Sequence, residues 1–295
     1  MLASSNDRDG AHLPSSHSYL FDEGTANAEL MLGDSAAVLG QFPDQVFQTC
    51  VTSPPYWSLR DYHIKGQIGL EASVADYLNK LVDVFEQVRR VLREDGTLWL
   101  NIGDSYTSGG RKWRAPDRKN PVRAMDIRPP TPDGLKPKDL IGVPWRLAMA
   151  MQDAGWYLRA DIIWDKPNCQ PESVKDRPTR SHEYVFLFSK SEQYYYNPAG
   201  VRGPNNRNER TVWSIHTQSI PEAHFATFPP ALVEHCLLLG SRPGDLVLDP
   251  FVGSGTTAMV AKGMGRKSVG IELNPDYLAI AYKRLSEAGH AASLA

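Results

Sequence analysis

The stretch Asp245-Leu246-Val247-Leu248-Asp249-Pro250-Phe251-Val252-Gly253-Ser254-Gly255-Thr256-Thr257 decides the fold. Leu246–Leu248 is a short apolar run bounded by charge and proline, the pattern of a buried strand. Two glycines follow and then a helical segment. Such glycines let a ligand approach the backbone, and the helix behind them offers free amides. Ser268–Leu273 reads as the next strand, with Glu272 about twenty residues beyond the turn, where an acid can accept both hydroxyls of a ribose. Ala258 stands where a dinucleotide fingerprint would have its third glycine, and the Gly-Lys-Ser/Thr of a phosphate-cradling loop is absent. Asp249 ahead of the glycines would repel a phosphate and welcome an amine. Adenosine carrying a sulfonium and an amino-acid tail meets these conditions, so the expected cofactor is S-adenosylmethionine.

Outward from this turn, strands alternate with helices. Strands are expected at Glu29–Leu32, Val46–Val51, Thr97–Ile102, Tyr157–Trp164 and Tyr184–Phe188. Helices are expected from Ser35 to Phe42, behind a Ser73/Asp76 capping box with Gly96 as its stop, from Pro144 to Gly155, from Pro229 to Leu239, after the glycine turn, and after Asn274-Pro275. The alternation implies an α/β fold, a mainly parallel sheet with helices on both faces. Tyr184–Phe188 and Tyr194–Tyr196 are expected to pair as an antiparallel edge hairpin. Residues 1–20 lack periodicity and read as a disordered lead-in. Residues 21–290 read as a single domain carrying loop insertions at 105–138 and 197–220.

The bulk numbers fit a soluble globular chain: 295 residues, net charge -2 and 41% hydrophobic residues. No apolar stretch has the length of a membrane span, and no signal-peptide pattern opens the chain. Cys50, Cys169 and Cys236 are odd in number and far apart, which predicts neither a metal site nor a disulfide framework and fits a reducing cytoplasm.

A second stretch, Ser53-Pro54-Pro55-Tyr56, follows the apolar run that ends at Val51. The prolines end that strand and remove two backbone donors. What remains at the tip is the Ser53 hydroxyl, the Ser53 and Pro54 carbonyls, and the ring of Tyr56. A planar heterocycle could stack on Tyr56 while its exocyclic amine donates to Ser53 and Pro54. Acceptors placed around a tetrahedral nitrogen return its delocalised lone pair, which is transition-state stabilisation by fixed dipoles. Asp104 and Asn101 are further candidates for that acceptor set. Cys50 reads as a core hydrophobe, and Trp57 as either pocket lining or packing.

Together, Ser-Pro-Pro-Tyr near one end and Asp-Pro-Phe-Val-Gly-Ser-Gly-Thr-Thr near the other resemble the DNA amino-methyltransferases, specifically the circularly permuted (beta) group in which the catalytic half precedes the cofactor half. Lys166-Pro167-Asn168 through His182-Glu183-Tyr184 resembles that group's middle segment, and the likeness covers about residues 28 to 285. The resemblance implies a Rossmann-like methyltransferase fold with one cleft shared by the two strand tips. It implies Ser53, Pro54, Pro55 and Tyr56 as the catalytic set. For the cofactor it implies Asp34 on the adenine side, Phe225, Ala226 and Thr227 of His224–Pro229, then Asp249, Phe251, Gly253, Ser254, Gly255, Thr256, Thr257 and the ribose acid Glu272.

In the family that the chain resembles, a serine at the first motif position goes with N4 of cytosine, so the resemblance implies methylation of that amine in double-stranded DNA after base flipping. Arg111, Lys112, Arg114, Lys119 and Arg123, with Trp113 among them, form the candidate DNA-binding patch, expected to give salt-dependent binding. Residues 197–216, with Arg202, Arg207 and Arg210, are a second candidate for sequence reading. A restriction endonuclease acting on the same site is the implied partner, and a cytoplasmic, nucleoid-associated location the implied setting. Three other readings stay open: adenine-N6 methylation on the same scaffold, a non-catalytic DNA-binding relative, and methylation of a protein or small molecule.

Overall fold

The computed structural model describes residues 18–20, 27–107, 130–169, 171–218 and 228–292. Its strands are β1 (Ser18–Leu20), β2 (Ala28–Leu32), β3 (Phe47–Thr52), β4 (Leu92–Ile102), β5 (Tyr157–Asp165), β6 (His182–Ser189), β7 (Arg202–Gly203), β8 (Arg207–Asn208), β9 (Val212–Ser214), β10 (Leu246–Asp249) and β11 (Lys267–Glu272). The helices are α1 (Ser35–Leu39), α2 (Val74–Val91), α3 (Val143–Asp153), α4 (Pro230–Gly240), α5 (Thr256–Gly263) and α6 (Pro275–Ala292). Among the described residues, nine strands form one sheet in the order β1-β2-β11-β10-β3-β4-β6-β5-β9. From β2 to β4 all neighbours are parallel, so β10 and β11, from the C-terminal part of the chain, lie between β2 and β3.

Residue alternation explains the two covered faces. Leu98, Leu100, Phe186 and Phe188 point to the layer of α1, α2 and α3. Trp99, Val185 and Leu187, one residue out of phase, point to α4. All six residues of β3 are buried, which is why that run reads as continuously apolar rather than alternating. On α2, Tyr77, Leu81, Phe85 and Val88 make one buried stripe, each such side chain contributing roughly 1.5–3 kcal/mol. Ser73 caps this helix by accepting from the Asp76 amide at 3.1 Å, as the capping box predicts.

Four local expectations are corrected. Ser18–Leu20 is not part of an unstructured lead-in, since β1 pairs antiparallel with β2 at the edge of the sheet. The antiparallel pairing is present, but β6 pairs with β4 on one side and β5 on the other, so Tyr194–Tyr196 is not its partner. Both edges of β6 are taken, and the Tyr194–Tyr196 run instead crosses the end of the sheet, where the Tyr195 amide donates to the Asp95 carbonyl at 2.9 Å. Gly96 is not the stop of α2: Leu92 already turns extended, and residues 93–96 bulge out between the Phe47↔Leu92 and Thr49↔Thr97 pairs. Residues 197–218 are not a plain loop, since β7 and β8 form a small hairpin and β9 joins the sheet beside β5.

Candidate active site

Strands β3 and β10 are parallel neighbours, with Leu248 opposite Cys50, so Thr52 and Asp249 end side by side. The Thr52 Oγ1 donates to Asp249 Oδ1 at 2.6 Å. Thr257 Oγ1 donates to Oδ2 at 2.7 Å, and the Phe251 amide to Oδ1 at 3.1 Å. Asp249 is 1% exposed, and burial, only partly offset by these three donors, pushes its pKa up to about 6. Its carboxylate therefore faces inward and ties the two strand tips to α5. It shapes the turn rather than opening onto it, which revises the expectation that it would receive a ligand's amine directly.

Beyond Asp249 the chain turns on Gly253 and Gly255, at φ 52° and 83°, where a side chain would be strained. A Cβ on Gly255 would also come within 2.9 Å of the Ala281 Cβ, where α6 crosses the turn. Ser254 and Thr256 are buried under this crossing, and the Ser254 Oγ accepts from Arg284 Nη1 at 2.9 Å. Phe251 packs edge-on against Phe85, ring centroids 6.4 Å apart. Glu272 accepts the Gly253 amide at 2.9 Å and the Asn274 amide at 2.8 Å. Burial, ahead of the opposing amides, raises its pKa to about 7. A carboxylate has about four acceptor positions, so after two amides Glu272 keeps capacity for a diol. Ser35 Oγ donates to the Pro250 carbonyl at 2.6 Å, which draws the start of α1 against the turn. Asp34 caps that helix by accepting from the Ala37 amide at 3.0 Å, and it is exposed. An exposed acid, a buried acid with acceptor capacity to spare and a glycine turn thus gather on one edge, a set that fits S-adenosylmethionine. Phe225, Ala226 and Thr227 lie outside the described residues.

One strand away is the Ser53–Tyr56 tip. Pro54 is buried, and the Pro55 carbonyl accepts from Tyr77 Oη at 2.9 Å, which anchors the turn to α2. The Tyr56 hydroxyl donates to Glu183 Oε2 at 2.8 Å, lies 3.4 Å from Asn101 Oδ1, and sits 3.5 Å from Ser53 Oγ. Asn101 Nδ2 donates to Glu183 Oε2 at 3.2 Å and to the Tyr184 carbonyl at 3.1 Å. Lys166 Nζ is hydrogen-bonded to the other Glu183 oxygen and lies 4.2 Å from the Trp164 ring centroid. Burial works against the Glu183 charge, yet Lys166 and the Tyr56 and Asn101 donors outweigh it and hold the carboxyl below its ordinary value. Burial, then the neighbouring Glu183 charge, pushes the Tyr56 phenol well up, so it stays a neutral donor. Gly103 is required here, since a Cβ would meet the Tyr56 ring at 2.7 Å.

The remaining candidates separate. Asn101 joins the cluster. Asp104 does not; it accepts from the amides of Ser105, Gly142 and Val143 and so caps the start of α3. Trp57 is packing, 4% exposed with its indole donating to the Glu71 carbonyl. Cys50 is fully buried core. Glu183 and Lys166 were not singled out as site residues by sequence reasoning. Their signal was available in outline, as an acid and a base each at the end of a strand. The Arg111, Lys112, Arg114, Lys119 and Arg123 patch lies outside the described residues. Arg210 lines a cavity of about 200 Å³ with Arg159 and Leu239, beside the start of β5 and away from Ser53. The opposite end of β9 lies nearer the Glu183 cluster: Thr217 is held by Asn168, two residues beyond Lys166.

Comparison with known proteins bears on this geometry. A family model of N6/N4 type described as DNA methylase matches residues 47–283, spanning both strand tips. The chain belongs to this DNA methylase family. It is 58% identical over 265 residues to the Type II methyltransferase M.SmaI of Serratia marcescens, covering 88% of this chain and 91% of that one. It is 58% identical over 262 residues to the Type II methyltransferase M.Cfr9I of Citrobacter freundii, covering 88% and 87%. Among solved structures, the fold resembles the PvuII DNA methyltransferase (cytosine-N4-specific), with a TM-score of 0.69 at 23% identity over 90% of this chain and 92% of that one. It also resembles a putative DNA modification methylase of Thermus thermophilus complexed with S-adenosyl-L-methionine, with a TM-score of 0.62 at 27% identity over 88% and 95%.

Proposed function

We propose that this DNA methylase transfers a methyl group from S-adenosylmethionine to the exocyclic N4 amine of cytosine in double-stranded DNA, as the modification half of a Type II restriction-modification pair. The observation that carries the reading is the adjacency of the Ser53 tip and the glycine turn, joined through Thr52 and Asp249 on one sheet edge. S-adenosylmethionine supplies an electrophilic methyl on a sulfonium. Gly253–Thr257 and Glu272 hold its adenosine and tail, with Asp34 on the adenine side.

The target amine is inside the stack of duplex DNA, so the cytosine must be flipped out. Tyr56 stacks on it, its ring orientation set by the hydroxyl bond to Glu183. Ser53 Oγ and the Pro54 carbonyl accept the amine hydrogens and restore the nitrogen lone pair. The choice of cytosine rests on the resemblance, in which serine at the first motif position goes with N4 of cytosine, and on the likeness in fold to a cytosine-N4-specific methyltransferase. Catalysis then rests on alignment and these dipoles. The order of the chain, catalytic tip at 53–56 before glycine turn at 253–255, supports the circularly permuted group: β10 and β11 occupy the sheet positions between β2 and β3. Residues 105–138 and 197–220 are the segments proposed to meet DNA, in a cytoplasmic setting.

Incubation with labelled S-adenosylmethionine and mixed-sequence duplex DNA, followed by nucleoside analysis, tests the reading. N4-methylcytosine is expected. N6-methyladenine would overturn the choice of base, and no label in DNA would overturn the reaction.

A further inference from the structure

We propose that Glu183 is a positioning residue for methyl transfer, the end of a one-way hydrogen-bond chain Ser53–Tyr56–Glu183 anchored by Lys166; this rests on the amine-methylation reading above. Donor and acceptor inventory fixes the direction of the chain. Lys166 can only donate, and it donates to Glu183. Glu183 as a carboxylate can only accept, and its second oxygen takes the single proton of Tyr56 at 2.8 Å, the shortest contact of that hydroxyl. The Tyr56 oxygen is thereby left as an acceptor. Ser53 Oγ lies 3.5 Å from it, the outer limit of a hydrogen bond, and its proton has that direction to go. The lone pairs of Ser53 are then free for the incoming amine.

The same chain gives the departing proton a path. As the N–C bond forms and the methyl–sulfur bond breaks, with its electron pair going to sulfur, one N–H bond of the amine returns its pair to nitrogen. That proton passes to Ser53 Oγ, the Ser53 proton to Tyr56 Oη, and the Tyr56 proton to Glu183 Oε2. Glu183 later releases it to solvent, its side chain being 19% exposed. Asn101 supports the same carboxylate oxygen at 3.2 Å and keeps it aimed at Tyr56.

The test is a double-mutant cycle on the full-length protein, read by single-turnover methyl transfer to duplex DNA, with affinity for S-adenosylhomocysteine and for DNA measured alongside. Glu183→Gln is expected to lower the transfer rate by about a hundredfold, the lower end for assisted proton transfer, with both affinities within about twofold of wild type. In a Tyr56→Phe background the same substitution is expected to cost little further, because the chain is already cut. Glu183→Asp should recover part of the rate. The pair Lys166→Met with Glu183→Gln removes both charges together and controls for folding. Equal losses from Glu183→Gln in both backgrounds, or a near wild-type rate, would overturn the chain. N6-methyladenine as the wild-type product would overturn only the choice of base, since the cycle can be read on either amine. A wild-type protein that methylates no DNA would overturn both.

Discussion

Glu183 and Glu272 sit at the same edge of one sheet, both largely buried, and their environments are opposites. Glu183 has a lysine, a phenol and an amide directed at it and is held below the ordinary carboxylate range. Glu272 has only backbone amides, with Asp249 nearby, and is raised to about 7. On the proposed catalytic side the Glu183 charge is balanced within the protein, the arrangement that preorganised catalysis would require. On the proposed cofactor side the Glu272 charge is left poorly solvated, with acceptor capacity that a ligand's hydroxyls could fill. One region is built to stay as it is, the other to be finished by binding.

The contrast can be broken most forcefully at Ser53. Ser53→Ala should lower methyl transfer by about 10²- to 10³-fold, the cost of losing one transition-state hydrogen bond, with cofactor affinity nearly unchanged by calorimetric titration. Equal losses in both would mean that the two regions are not separable. Next is the charge balance on the catalytic side. Lys166→Met leaves Glu183 without its cation and should destabilise the protein by about 3 kcal/mol in denaturant unfolding, and adding Glu183→Gln should recover most of it.

The cofactor side is probed by pH. The Glu272 pKa is raised from 4.5 to about 7, so its contribution to stability is full below 4.5 and is lost as pH rises through about 7. A ligand that favours the ionised form must displace that proton at low pH. Cofactor affinity should therefore rise about tenfold between about pH 6 and about pH 8 in the wild type and stay level in Glu272→Gln. A parallel rise in the variant would assign the effect elsewhere. The smallest effect is expected at the joint between the regions. Thr52→Val removes the hydroxyl that crosses from β3 to Asp249 and should cost about 1 kcal/mol of stability by chemical denaturation, with a further rise of the Asp249 pKa.

What could be read directly from the chain was local. The strand–glycine–helix unit at 246–263, the proline-stopped tip at 53–56 and the Ser73 cap each depend on residues a few positions apart, whose turn and capping chemistry is self-contained. The partner of β6 was not legible, because the aromatic run Tyr194–Tyr196 has the same strand preference as β5 and only the packed sheet decides between them. Glu183 and Lys166 escaped for a related reason. Tyr56 meets Glu183 across 127 positions of sequence, and no periodicity encodes a contact at that separation. Asp249 was read as open to ligand because its spacing from the glycines is local, while its burial is not.

By itself, then, the sequence determined which segments become strands and turns and which chemical groups stand at their tips, since those follow from side-chain period, proline and glycine. That the two tips are neighbours was implied beforehand only by family resemblance; tertiary structure alone decided which carboxylate meets a cation and which is left without one. Hydrogen-bond direction and desolvation act between residues brought together only when the sheet inserts its last two strands, β10 and β11, among its first.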